Sequence, residues 1–352
     1  MKKTLIALGA ALTCLGAAHA QSNVQLTGLV DMYVGSMKLA GQDRTSVAES
    51  GGLSTSWWGV QGTEDLGGGL KAGFNLGAFF QADDGSNGRF VGDTFFARDA
   101  NVTLSGSFGQ VLLGRTSAPN FLPSVFANPF GDSFEVSPLI LHENVWFLNN
   151  QKLGTTPSDT GWSNQVRYSS PDFGGLTFNI AYQFGEVATQ NSKKNVGMNA
   201  TYRNGGLMLT GFYERAQVKN PTGALLDGVF SRLGTTQNWM LGGSYDFGVV
   251  KLYGTYGQAK TKDNDTYDGK TASLGLDIPV SKAGTIKAAV AHTKLEATSG
   301  TTFAFDGKRT TTTIGYDHFL SKRTDVYGVV MNDRVTGLKS GTSLAVGIRH
   351  RF

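Results

Sequence analysis

The chain of 352 residues holds 48 glycines against 8 prolines, 11% aromatic and only 16% charged residues, and a formal net charge of +4. A charged share below the roughly 25% of soluble domains speaks against an ordinary globular domain, and the interspersed signs exclude a basic surface for nucleic acid. Beyond residue 20 no apolar run of about 18 residues occurs, which excludes membrane-spanning helices.

Residues 1–20 predict a signal peptide: Lys2 and Lys3 start it, an apolar stretch runs from Leu5 to about Ala17, and Ala18-His19-Ala20 is a small-residue cleavage site. Cys14, the only cysteine, lies inside that stretch, so the part from Gln21 onward carries no thiol. Residues 21–352 are expected to form a single domain, because no Pro-rich linker or blade-like repeat divides them.

The next signal in chain order is strict alternation. In Leu176-Thr177-Phe178-Asn179-Ile180-Ala181-Tyr182-Gln183-Phe184 the apolar residues share one face, while Thr177, Asn179 and Gln183 lie on the other. The last segment repeats this, with Leu344, Val346, Ile348, His350 and Phe352 set against Ser343, Ala345, Gly347, Arg349 and Arg351. Arginine at every second position cannot face lipid, so the other face meets water. A chain with apolar-out and polar-in strands and no helical span must close into a transmembrane β-barrel, since only closure pairs every backbone polar group in lipid. Sixteen antiparallel strands are predicted, near 24–36, 53–64, 69–81, 90–105, 110–116, 163–169, 175–184, 195–203, 206–214, 238–246, 249–257, 271–278, 284–293, 309–318, 324–332 and 342–352. Tight links such as Arg203-Asn204-Gly205-Gly206 alternate with long ones such as 215–237, as short periplasmic turns alternate with external loops.

One connection, 117–162, is far longer than the rest and contains Pro119, Pro123, Pro129, Pro138 and Pro157. Phe121, Phe126, Phe130, Phe134, Trp146 and Phe147 require burial, and the barrel lumen offers it. This third external loop is therefore expected to fold inward.

Several segments together resemble the general porins of Gram-negative bacteria, in their β-proteobacterial branch. They are Val24-Gln25-Leu26-Thr27-Gly28-Leu29-Val30-Asp31, then Trp58-Gly59-Val60-Gln61-Gly62-Thr63-Glu64-Asp65-Leu66-Gly67-Gly68, and Phe96-Ala97-Arg98-Asp99-Ala100. Tyr168-Ser169-Ser170-Pro171-Asp172-Phe173-Gly174-Gly175-Leu176 and the ending Gly347-Ile348-Arg349-His350-Arg351-Phe352 complete the series. The resemblance implies a homotrimer in outer-membrane lipid and lipopolysaccharide, with Phe352 part of the signal read by the barrel-assembly machinery. It also implies a constriction in which wall arginines oppose loop carboxylates. Carried over by position, Arg98 and Arg115 match the wall arginines, and Asp132 and Glu135 are the loop carboxylates. If Arg98 faces the lumen, alternation expects Asp99, Asn101 and Thr103 on the outside, where a trimer interface would cover them.

The sequence departs from the family at Trp57, Gln61 and Gly161, where basic residues are usual. Fewer lumen cations predict weak ion selectivity. The expected function is an outer-membrane porin for passive diffusion of small hydrophilic solutes and ions, with no cofactor and no metal. The alternative is a substrate-selective channel, in which Trp57 offers sugars or small aromatic solutes a face to stack on; a barrel adhesin or enzyme comes third. None of His142, His292, His318 and His350 stands at a metal-ligand spacing, and His292 with Ser299 is only a loose catalytic pair.

Overall fold

The computed structural model describes residues 23–352 apart from 144, 149–150, 156–158, 187–193, 219, 221–234, 263–264 and 300–302. The expected signal peptide at 1–20 thus lies outside the described residues. The first wall strands are β1 (Asn23–Met37), β2 (Thr45–Ser50), β3 (Trp57–Gly67), β4 (Leu70–Phe79), β5 (Asp99–Gly106) and β6 (Gly109–Ser117). Between β6 and the next wall strand stand two short helices, α1 (Phe121–Phe126) and α2 (Pro138–Glu143), and a hairpin of β7 (Val145–Leu148) and β8 (Gln151–Thr155). The wall resumes with β9 (Gly161–Ser169), β10 (Leu176–Phe184), β11 (Lys194–Asn204), β12 (Leu207–Ala216) and β13 (Thr235–Asp246). It ends with β14 (Lys251–Lys262), β15 (Asp265–Pro279), β16 (Gly284–Ser299), β17 (Phe303–Phe319), β18 (Thr324–Val335) and β19 (Gly341–Arg351).

Each wall strand pairs antiparallel with its neighbours, and β1 closes the barrel on β19 from Leu29↔Arg351 to Ser36↔Leu344. On its other side β1 meets β3 along Asn23–Leu29 and β2 along Met32–Met37. β2 and β3 share one wall position, so a 17-stranded sheet fills sixteen places. Two expected boundaries are corrected. The second strand, expected at 53–64, is instead interrupted between Ser50 and Trp57, because Leu53 N–H and Ser54 N–H turn aside to donate to Asp31 Oδ2 at 2.8 Å each. The fourth strand, expected from residue 90, begins at Asp99: Asp93 accepts from the N–H of Arg89 and of Thr94, so the chain turns where pairing was expected.

The alternation settles which face meets lipid. Leu344, Val346 and Ile348 are about half exposed (54%, 53% and 49%), whereas Ser343 and Ala345 between them are 2% exposed. The segment 118–143 reaches the polar face of the wall. Lys287 Nζ donates to Pro129 O (3.0 Å), Thr313 Oγ1 to Val136 O (2.7 Å) and Arg309 Nη1 to Leu141 O (2.9 Å). Pro129 approaches β15 so closely that a Cβ on Gly275 would stand 2.6 Å from its Cδ, an approach that only glycine admits. Phe130, Val136 and Leu141 bury with Tyr327, Val329, Met331 and Ala345 in one apolar cluster, each large side chain contributing about 1.5–3 kcal/mol.

Phe352 exchanges two backbone hydrogen bonds with Gly28, both 3.0 Å, and its ring covers the bare Cα of that glycine. Deleting Phe352 removes both bonds, each worth about 1 kcal/mol. The folded barrel is expected to convert to its unfolded gel form at a lower temperature. An unchanged midpoint in heat-dependent gel migration contradicts this account of the closure.

Candidate functional site

The register of β1, β3, β4 and β5 aligns Leu29, Trp57 and Phe79 in one row and Gln25, Gln61, Asn75 and Asn101 in another. Both rows lie on the face opposite Leu26, Trp58, Leu76 and Val102, which are exposed outward. Arg98 precedes β5 and is held there by its N–H donating to Gly77 O at 3.2 Å. Its guanidinium lies 3.6 Å above the centre of the Trp57 ring, and its Nη1 donates to Asp99 Oδ2 at 2.5 Å. A cation on an indole face contributes about 0.5–2 kcal/mol depending on desolvation. Trp57 therefore has one face covered by Arg98, and the expected open platform for a stacked solute is half occupied.

The expectation that Asp99, Asn101 and Thr103 point outward is overturned. They share the face of Gln61 and Asn75: Asn75 Nδ2 donates to Asn101 Oδ1 (3.1 Å) and Thr116 Oγ1 to Asp99 Oδ1 (2.9 Å), while Val102 and Leu104 face out. Arg98 lies outside the strand, so counting alternation from it shifts the register by one.

Arg115 does not stand as an open wall charge; it is 6% exposed. Its Nε donates to Ala97 O (2.6 Å), Nη1 to Gly161 O (3.1 Å) and Ser163 Oγ (2.9 Å), and Nη2 to Asp159 Oδ2 (3.1 Å). Arg89 Nη1 donates to the other Asp159 oxygen at 2.8 Å and Arg89 Nε to Asp93 at 2.8 Å. Burial alone would raise the Asp159 pKa, but Arg89 and then Arg115 hold its carboxyl far below the usual range. Gly161, a departure from the basic residue usual in the family, makes room for this group: a Cβ there would stand 3.1 Å from Arg115 Nη2.

Asp132 accepts from Ser54 Oγ at 2.8 Å, and Ser54 Oγ in turn accepts from Arg349 Nη1 at 2.8 Å. Burial pushes the Asp132 carboxyl upward, against the Ser54 hydrogen bond and the charges of Arg349 and Arg98. Glu135 lies three residues on, half-buried, its N–H donating to Ser133 Oγ at 3.3 Å. The β2–β3 interruption brings these groups together, since Gly52 O accepts from Ser133 Oγ at 2.7 Å. Sequence reasoning passed over Asp31, the buried acceptor of that turn and of Tyr327 O–H. An acid at an inward position of the first strand was its only signal. It also passed over Arg167, which pairs opposite Leu112 on the polar face and donates to Ser117 Oγ at 3.3 Å.

A profile described as Gram-negative porin matches residues 4–338. The chain belongs to the Gram-negative porins. Outer membrane porin protein 32 of Delftia acidovorans is 36% identical to this porin, with 100% of both chains covered. An outer membrane porin protein of Bordetella pertussis is 27% identical, again over 100% of both. The solved structure of an anion-selective porin from Comamonas acidovorans superposes with a TM-score of 0.75 at 28% identity, covering 94% of this chain and 100% of that one. These are β-proteobacterial relatives, as the sequence motifs implied. The porin is an outer-membrane channel protein of a Gram-negative bacterium, and its relatives are channels and not enzymes.

Two titratable groups sit where segment 118–143 of the porin meets the wall. His142 lies between Thr293 Oγ1 (2.7 Å) and Thr311 Oγ1 (2.8 Å). Burial, then Arg309 and His292, hold its pKa well below 6.5. Glu143 accepts from Ser124 Oγ at 3.3 Å, and burial pushes it from 4.5 up to about 8. A histidine with a depressed pKa strengthens attachment as pH rises to 6.5, while an acid with a raised pKa weakens it as pH rises from 4.5 to about 8. Each slope is about 1.4 kcal/mol per pH unit, so below 6.5 the histidine opposes the acid, and above 6.5 only the slope of Glu143 remains. Attachment is expected to weaken from 6.5 toward 8, read as rising current noise in planar bilayers. Glu143→Gln is expected to remove most of the alkaline arm. Noise that climbs equally in that variant excludes Glu143 as its source.

Proposed function

We propose that this porin passes small hydrophilic solutes and ions by passive diffusion through a lumen narrowed by segment 118–143. The observation that carries this reading is the seating of both helices of the segment against β11–β17. α1 packs on β11–β13 and α2 on β15–β17, and the carbonyls of Pro129, Val136 and Leu141 are held by β16 and β17. The passage then runs along the opposite wall of β1, β3–β6 and β9, past Arg98 and Arg167, with Asp132 and Glu135 facing it from the segment.

Weak ion selectivity follows from pairing. Arg98 is neutralised by Asp99 at 2.5 Å and Arg115 is tied to Asp159, so neither adds a full free cation. The anion selectivity for which the Comamonas porin is named belongs to that protein; here it would rest on Arg167 against two loop acids. An ion passing about 6 Å from one charge feels roughly 0.7 kcal/mol at water's dielectric constant, about threefold in occupancy before salt screening. Arg98→Ala is expected to shift reversal potentials under a potassium chloride gradient toward cations. Strong anion selectivity in the native channel, or no shift in the variant, overturns this assignment of charges.

The same reading holds that residues 1–20 are cleaved as a signal peptide, that Phe352 is recognised by the assembly machinery, and that the porin is a homotrimer. Outward Leu76, Val102 and Leu104 are exposed in the single chain and suit either lipid or a second copy. Light scattering in mild detergent is expected to give the mass of three chains. A monodisperse monomer rules the trimer out.

A further inference from the structure

The passage proposed above leads past Arg98 and Trp57 to a part of the wall with a different chemistry. Gln25 on β1, Gln61 and Thr63 on β3, Asn75 on β4, Thr103 on β5 and Gln110 on β6 line a half-open cavity of about 270 Å³. None of its lining residues is charged. Its depth comes from Gly73, which the register sets between Thr63 and Thr103 and which leaves the floor bare. The amides are only partly spent on one another: Gln61 Nε2 donates to Gln25 Oε1 at 3.3 Å and Asn75 Nδ2 to Asn101 Oδ1 at 3.1 Å. Among the described residues this leaves the Gln25 amide nitrogen, the Gln61 amide oxygen and the Asn75 amide oxygen without a protein partner. Donors and acceptors thus alternate across three strands, held in place by the ladder and open to the cavity.

We propose that this cavity is a subsite for neutral polyhydroxylated solutes of the sugar and polyol class. Each hydroxyl of such a solute both donates and accepts, which is what a row of primary amides and threonines offers in return. An ion entering the cavity finds no countercharge among the lining residues, so the water it sheds is not replaced by an ionic partner. The volume holds about nine waters at about 30 Å³ each, room for a hexose-sized body. The subsite lies on the wall that segment 118–143 leaves uncovered, and in this respect the inference rests on the channel reading. It also relocates solute recognition: Trp57, the stacking platform of the alternative sequence reading, carries Arg98 on its face, and Gln61 lies four residues farther along the same strand with Gln25 and Asn75 beside it.

The test is saturation-transfer NMR of maltose and of sucrose against the folded porin in a detergent whose head group is not a sugar. Binding is expected to be saturable and to weaken about fivefold in Asn75→Leu and in Gln61→Leu, the factor for one neutral hydrogen bond. Thr103→Val is the milder companion should a leucine variant not fold, and heat-dependent gel migration identifies the folded samples. Absence of saturable transfer, or transfer unchanged in the folded variants, overturns the proposal. Stepwise potassium chloride conductance, recorded without sugar on the same preparations, reports the channel reading by itself. Sugar binding without conductance therefore sinks the channel and keeps the subsite, and conductance without binding does the reverse.

Discussion

An unpaired peptide N–H or C=O costs several kcal/mol in hydrocarbon, and no water is present to relieve it. The wall therefore has to return to its own first strand, and the pairing of β1 with β19 over Leu29–Ser36 is where it does so. Closure fixes the sidedness of every strand at once, because the side-chain period of two leaves no freedom once one face meets lipid. Leu344, Val346 and Ile348 are thereby assigned outward and Arg349, Arg351, Asp325 and Asp317 inward. Those inward groups gather as ion pairs, with Asp325 accepting from both arginines.

A closed wall of sixteen positions encloses more space than its own side chains fill. Segment 118–143 of the β6–β9 connection meets the polar face of that wall through two kinds of attachment. Apolar burial of Phe130, Val136 and Leu141 supplies most of the free energy. Hydrogen bonds from Lys287, Thr313 and Arg309 supply direction. The turn at Gly52–Ser56 contributes from the other side, with Asp31 holding its backbone and Ser54 linking Asp132 to Arg349. An acid in the first strand thus takes part in orienting a residue about a hundred positions later.

What was legible in the sequence was what the membrane imposes. Leu176–Phe184 alternates without exception because both of its faces are constrained, and the strand positions could be counted from such segments. Thr45–Ser50 was missed because Thr-Ser-Val-Ala-Glu-Ser has no continuous apolar face; it pairs with the end of β1, from Met32 to Met37. The use of Arg98 as a register mark failed because it precedes the strand, which begins at Asp99. Arg115 eluded alternation for a related reason. Gly114 takes a φ of 123° and the β6–β9 pairing shifts between Gly114 and Thr116, which carries the arginine into a buried ion pair. The amide row of Gln25, Gln61 and Asn75 had no short-range signal, since it forms only when three strands are laid side by side.

Besides the side-chain bonds of His142, the wall holds segment 118–143 by main-chain carbonyl oxygens at Pro129, Val136 and Leu141. Main-chain acceptors are the same whatever residue bears them. Side chains of the segment that face away from the wall can therefore drift in character while these main-chain bonds stay constant. Mutational tolerance and permeability are in this way separated along one stretch of chain, and lineages carrying this barrel can retune what they admit without first relearning how to fold.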